Sequence, residues 1–323
     1  MTLSGLLDFS YYGISGSATT AAGKAQSVGT TVGSATSAIN FNAVEDLGGG
    51  LKAQAFYAID PRAFANDGSA LARHETYVGL SGGFGNLRMG AINTAALGVN
   101  GVSNAFGTAT GGAYAWIESA AGGAVRFNRS VRYDTPTFSG FSANLTFAPG
   151  NDDASAVQTA GSTPVGQKVT DLGLNYSNGP LNVAFSSLQR SALTGGTASQ
   201  VKSTYNSIAV NYAIGNAKIF AGYADGDKSS QAPSSINLVD TTGGLDSKVN
   251  RVGATYTMGA VTLLGQYSTA EIGTAAKRKA TGLRADYALS KRTTAYAVYE
   301  AFDTGATSAN KINTAAVGVR HSF

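Results

Sequence analysis

Apolar and polar residues alternate along most of this chain, and turn residues interrupt the alternation at regular intervals. Period-two alternation over a short run marks a strand with two unlike faces. We count sixteen such segments, near 2–14, 35–46, 50–60, 71–82, 84–93, 124–136, 140–149, 168–178, 180–190, 203–214, 216–226, 247–258, 260–272, 277–289, 292–303 and 312–323. The first carries Leu3, Leu7, Phe9 and Tyr11 on one face and Thr2, Ser4, Asp8 and Ser10 on the other. The seventh sets Phe141, Leu145 and Phe147 against Ser142, Asn144 and Thr146. The last sets Val317, Val319 and Phe323 against Thr314, Arg320 and Ser322.

The connections form a second pattern. Asp46 to Gly50, Ser81 to Phe84, Ser177 to Pro180, Ile214 to Asn216, Met258 to Ala260 and Leu289 to Arg292 are tight reversals. Their Gly, Asn and Pro residues suit the backbone angles of such turns. The connections between them are mostly long and polar, at about 15–34, 61–70, 94–123, 150–167, 191–202, 227–246 and 304–311, with a short one at 273–276. Short turns on one rim, long loops on the other and strands of about ten residues are the plan of a membrane-spanning barrel. Both chain ends then fall on the short-turn rim, where the first and last strands can pair. That closure removes the sheet edges, which hydrocarbon does not tolerate.

Composition narrows the picture. No apolar run is long enough for a spanning helix, which needs about 18 residues or more, and a mean hydropathy of −0.01 fits a chain in which only alternate residues face lipid. A soluble β-sandwich also alternates. It accounts poorly for the loop asymmetry and for a polar parity rich in Asn, Ser, Gly, Arg and Asp. The absence of cysteine excludes a disulfide scaffold or a thiolate zinc site. A net charge of +4 with no basic cluster interleaved with aromatics argues against nucleic-acid binding. Met1-Thr2-Leu3-Ser4-Gly5 is already in strand pattern, which reads as a mature sequence whose secretory signal has been removed.

Four stretches carry a family resemblance. They are Ser37 to Phe41 with Glu45 to Ala53, Tyr77 to Gly85, Ser130 to Pro136 with Phe138 to Phe141, and Val317 to Phe323. Together they resemble the Gram-negative general-diffusion porins, betaproteobacterial type, and they run from one end of the chain to the other. The resemblance implies an all-β fold, a closed sixteen-stranded antiparallel transmembrane β-barrel with short periplasmic turns and long extracellular loops, spanning 1–323 as one domain. It implies a multi-pass barrel in the bacterial outer membrane, in contact with the lipid bilayer and lipopolysaccharide and assembled as a homotrimer. It further implies that the barrel-assembly machinery reads Phe323, and that the loop at about 94–123 folds inward as a constriction. Small side chains on the outer faces of the first strands (Ala43, Ala53, Ala55) suit a packed subunit interface.

The function implied is a water-filled channel for passive diffusion of small hydrophilic solutes and ions, with no cofactor, no metal and no catalytic step. The alternative is a substrate-specific channel with an aromatic and polar constriction, in which Tyr114 and Trp116 supply a stacking platform. Members of the family carry wall arginines opposite acids of the constriction loop. Here Ala38, Asn42 and Ala91 stand at positions that are commonly basic, and Glu118 is the loop's only acid. The expected pore-lining or constriction residues are Asp8, Asn40, Asn42, Lys52, Arg73, His74, Arg88, Trp116, Glu118, Arg126 and Arg132. Strict alternation puts Arg126, Asn128, Ser130 and Arg132 on one face and Phe127, Val131 and Tyr133 on the other, leaving Arg129 on the wrong parity for lipid, where either a subunit contact covers it or a bulge flips it. The small excess of positive charge predicts a mild preference for anions. No histidine has the partners of a nucleophilic triad.

Overall fold

The computed structural model describes residues 1–16, 24–29, 37–61, 74–149, 168–193, 200–229, 245–305 and 310–323. Its strands are β1 (Thr2–Ser15), β2 (Lys24–Gly29), β3 (Ala38–Gly48), β4 (Leu51–Ile59), β5 (Thr76–Gly82), β6 (Gly85–Asn93), β7 (Arg126–Asp134), β8 (Phe141–Ala148) and β9 (Lys168–Asn178). They continue as β10 (Leu181–Leu193), β11 (Gln200–Ile214), β12 (Ala217–Asp227), β13 (Ser247–Met258), β14 (Val261–Ile272), β15 (Arg278–Ala288), β16 (Thr293–Asp303) and β17 (Lys311–Ser322). Consecutive barrel strands pair antiparallel, and β1 pairs with β17 from Leu6↔Ser322 to Ser15↔Asn313, which closes the sheet. Phe323 completes the seam: its N–H donates to the Gly5 carbonyl at 3.1 Å, and its own carbonyl accepts from the Gly5 N–H at 3.0 Å.

Sixteen of these strands match the sixteen segments of the sequence pattern. The extra one, β2, lies where the alternation reads only as loop. It has a physical reason. β3 covers only Thr2 to Leu6 of one side of β1, and β2 covers Ser10 to Ser15 of that same side. Ser37 bridges the gap, its hydroxyl accepting from the Asp8 N–H at 2.9 Å. An edge left open there would carry unpaired backbone groups into lipid.

The two faces of the sheet are inverted relative to a soluble protein. Leu172, Leu174, Ile208, Val210, Val252, Leu263, Leu283, Val317 and Val319 are exposed on the outside, while Asp8, Asp171, Ser186, Ser207, Asn211, Arg251 and Glu300 are buried on the inside. Exposed apolar area on that scale fits hydrocarbon surroundings, not water. Tyr133, Tyr212, Tyr256 and Tyr287 point outward within two residues of a strand's short-turn end. That is the level at which an aromatic girdle meets the membrane interface.

One parity expectation fails. Between Gly90 and Ile92 of β6 the register of β7 shifts, so that Asn128 and Arg129 together oppose Ala91. Arg129 takes φ 54°. The extra residue reverses the facing below it. Phe127 therefore turns inward and is buried, Asn128 and Arg129 are exposed, and Arg126, expected to face the lumen, falls on the outer parity.

Candidate functional site in the barrel lumen

The segment 94–123 is not a structureless loop. It forms helix α1 (Ala95–Ser103) and a π-helical turn (Ala115–Ser119), both held inside the barrel. Thr94 caps α1, its hydroxyl accepting from the Leu97 N–H at 3.0 Å, the usual use of a threonine before a helix. The Asp171 carboxylate on β9 accepts from the first helical N–H, of Ala95, at 2.6 Å. A carboxylate is favoured there because the amide dipoles leave positive charge at a helix start.

The rest of the inner loop is fastened to the same side of the barrel. Glu300 on β16 accepts from the N–H groups of Gly111 and Ala113 at 2.9 and 3.0 Å. Gln266 on β14 accepts from the Ala105 N–H at 3.0 Å. Arg251 on β13 donates to Asn100 Oδ1 at 2.9 Å and to the Ser103 hydroxyl at 3.0 Å, and pairs with Glu118 at 3.2 Å. Tyr205 on β11 donates to the other Glu118 oxygen at 2.6 Å. Arg190 on β10 donates to the Gly122 carbonyl, and Arg278 on β15 to the Trp116 carbonyl at 3.1 Å.

Apolar contact backs these bonds. Ile117, Ala121 and Ala124 of the inner loop join Phe127, Val169, Leu188, Tyr205, Val249 and Phe302 of the wall in one buried cluster. Close seating needs wall positions with no side chain. A Cβ on Gly282 would overlap the Gly111 carbonyl, and one on Gly222 would collide with Ser103.

This arrangement changes two expectations. Glu118, expected at the constriction as the loop's acid, is buried between Arg251 and Tyr205 and turns no charge to the passage. The aromatic platform is also absent: Tyr114 is buried, and Trp116 lays a face on Phe302 with ring centroids 5.3 Å apart. Burial and the neighbouring Glu118 raise the Tyr114 phenol above its ordinary pKa, so it stays protonated. The exposed positions of the inner loop are Gly98 and Gly101, and the half-buried ones, Trp116 among them, are likewise uncharged.

The opposite wall, from β17 through β1 to β7, carries a second set of lumen charges. Asp8 accepts from the Tyr296 hydroxyl of the neighbouring β16 at 2.6 Å and from Arg320 at 2.8 Å. Where the two walls meet, Arg284 of β15 lies over the Tyr296 ring, 4.0 Å from its centroid, and pairs with Asp286. Arg88 and Arg132 both pair with Asp134 at 2.7 Å. Past the bulge, on the outer parity, Arg126 donates to Asn93 Oδ1 at 3.2 Å. His74 stands 4.0 Å from Asp60. Asn40 and Asn42 share the inward parity of β3, and Lys52 is exposed near the short-turn rim of β4. Arg73 lies outside the described residues. The structure thus brings Arg88 and Arg132 together on Asp134, sets Arg126 on the outer parity, places Asp8 in a separate group, and removes Trp116 and Glu118 to the far side.

Sequence reasoning missed the anchors Asp171, Arg190, Tyr205 and Glu300. A signal was present: Val169, Leu188 and Val249 are large apolar residues on the polar parity, at the long-loop ends of their strands. Such residues need something inside the barrel to cover them. His321, on the outer parity, shares a hydrogen bond with the Thr293 hydroxyl at 2.9 Å. Among the described residues no group of three or more His, Cys, Asp or Glu is arranged to hold a metal ion.

Comparison with known proteins agrees with this architecture. Residues 1–307 match the family model described as Gram-negative porin. The major outer membrane protein P.IB of Neisseria gonorrhoeae is 34 % identical over 146 residues, which span 44 % of this chain and 38 % of that protein. The P.IB protein of Neisseria lactamica is 28 % identical over 304 residues, 89 % of this chain and 83 % of that protein. Among solved structures, the anion-selective porin from Comamonas acidovorans superposes with a TM-score of 0.79 at 22 % identity, covering 100 % of this chain and 99 % of that one.

Proposed function

We propose, for a chain that belongs to the Gram-negative porin family, a water-filled channel in the bacterial outer membrane that passes small hydrophilic solutes and ions by diffusion and mildly prefers anions. The observation that carries the selectivity is the fate of Glu118. The inner loop's only acid is buried against Arg251, so the passage runs between an uncharged loop face and a wall on which Arg88 and Arg132 are balanced by Asp134 and Glu75, Arg320 by Asp8, and Lys52 adds positive charge at the mouth. Fixed positive charge beside water concentrates anions. The similarity in fold to the anion-selective porin from Comamonas acidovorans supports the direction. Asn40, Asn42, Asp8 and Lys52 line the same side by parity, His74 stands beside Asp60 just before β5, and all five belong to the proposed passage.

The working unit we propose is a homotrimer. Ala43, Ala53 and Ala55 leave a shallow groove across the outer face of β3 to β6, walled by Val78, Leu80, Leu87 and Met89 and nearly free of polar surface. A second copy fills such a groove better than mobile lipid chains. Lipopolysaccharide as the outer contact and recognition of Phe323 by the barrel-assembly machinery remain proposals of the same reading. The function has no catalytic step.

Reconstitution in a planar bilayer tests it. Ohmic conductance steps in groups of three, with a reversal potential on the anion side in a KCl gradient, are the expected result. Absence of conductance, or a clear cation preference, overturns the reading.

A further inference from the structure

We infer that Asp134 is the positioning residue that sets how strongly the open wall selects ions, an inference that rests on the channel function proposed above. Arg88 and Arg132 are directly opposed across β6 and β7. Like charges in that relation repel. Asp134 lies two residues beyond Arg132 on the same face and takes one guanidinium on each oxygen. Oδ1 accepts from Arg132 Nε and Nη2 at 2.9 and 2.7 Å, and Oδ2 accepts from Arg88 Nη2 at 2.7 Å.

The remaining contacts fix both cations in place. Arg132 Nη1 donates to the Asn93 carbonyl at 2.8 Å, at the root of the inner loop. Arg88 lies over the Tyr77 ring, 5.1 Å from its centroid, and Tyr77 stacks on Phe56 at 5.3 Å. Glu75 stands 3.8 Å from Arg88 and accepts from the Asn93 N–H at 2.9 Å. Two arginines and two carboxylates thus form a group with no net charge.

Asp134 therefore does two things. It lets two arginines share one stretch of wall, and it cancels one of their charges. Its side chain is about a quarter exposed, open enough for the charge to be felt in the lumen. Removing that charge while keeping the side-chain shape takes the group from neutral to a net positive charge.

The test measures reversal potential in a KCl gradient for the reconstituted full chain and for D134N, D134E and R132Q, with heat-dependent gel mobility as the check on folding. D134N is expected to raise the chloride-over-potassium permeability ratio roughly two- to fivefold, the size expected for one added charge several ångströms from the permeating ion. D134E is expected to match the parent, and R132Q to shift toward cations. An unchanged ratio in D134N overturns the inference, as does a D134E shift as large as that of D134N. Should D134N fail to assemble, R132Q decides: a shift toward cations supports the inference and no shift overturns it. A parent chain with no anion preference overturns the proposed selectivity instead. In that event a D134N shift from the new baseline still supports the role of Asp134.

Discussion

The wall from β8 to β16 and the wall from β17 through β1 to β7 use the same residue types in opposite ways. On the first, Asp171, Arg190, Arg251 and Glu300 are buried and bonded to the inner loop. On the second, Arg88, Arg132, Asp134 and Arg320 keep part of their side chains exposed and bond mainly to one another and to their own wall. A charge buried under the loop holds structure and adds little to the field in the passage, because a partner neutralises it and the loop covers it. A charge left at the water boundary adds little to stability, since such pairs contribute about 1 kcal/mol or less, but it acts on every ion that passes. Lumen parity alone does not make a residue a selectivity residue. What lies over it decides.

The largest effect that would break this division comes from Glu118. Replacing Glu118 with Ala leaves Arg251 buried without its carboxylate and costs Tyr205 its acceptor. Breaking a buried pair from one side destabilises by about 3–5 kcal/mol. The expected outcome is a lower unfolding temperature and a noisier open state of higher conductance, as the end of the inner loop leaves the wall. Single-channel recording with a thermal melt checks it. A quiet channel of parental conductance would mean that the loop is held without this pair.

Gly282→Ala comes next. A methyl there meets the Gly111 carbonyl, so the loop tip must move while Glu300 still holds it. Overpacking of this kind costs about 1–3 kcal/mol. Conductance is expected to change with the chloride-over-potassium ratio unaltered, because no charge has moved. A changed ratio at constant conductance would contradict the division between the walls. Thr94→Ala is smaller. It removes the α1 cap and is expected to cost about 1 kcal/mol in a denaturant titration, with selectivity unchanged.

These positions also mark the limits of sequence reasoning. The strands, the two rims and the outer face were legible because alternation is strictly local: Leu172 and Leu174 face lipid whatever the rest of the chain does. The closing pair β1–β17 followed from both ends lying on one rim. Arg88, Arg132 and Asp8 were legible as lumen residues for the same local reason. Three things were not. The inward turn of Phe127 depends on one extra residue in β7, which leaves the apolar pattern unchanged. β2 exists because β3 is too short to cover β1, a property of two other strands. The burial of Glu118 depends on Arg251, more than a hundred residues away in the chain. Such pairings are tertiary, and no periodicity encodes them.

Lys52 sharpens the comparison at its weak end. It is exposed near the short-turn rim, at the mouth of the open wall. Its charge reaches a passing ion through water, so screening governs it. The Debye length is about 10 Å at 0.1 M salt and about 3 Å at 1 M. Lys52→Gln is therefore expected to shift the reversal potential slightly toward cations at low salt and to lose that shift at high salt. Arg132 sits deeper, against Asp134 and the root of the inner loop, where ions pass closer to the wall. R132Q is expected to keep most of its shift as salt rises. Reversal potentials for both variants across a salt series make the measurement. Equal decay in the two would place Arg132 in a wide vestibule like Lys52, and the narrow part of the passage would then have to lie elsewhere on the open wall.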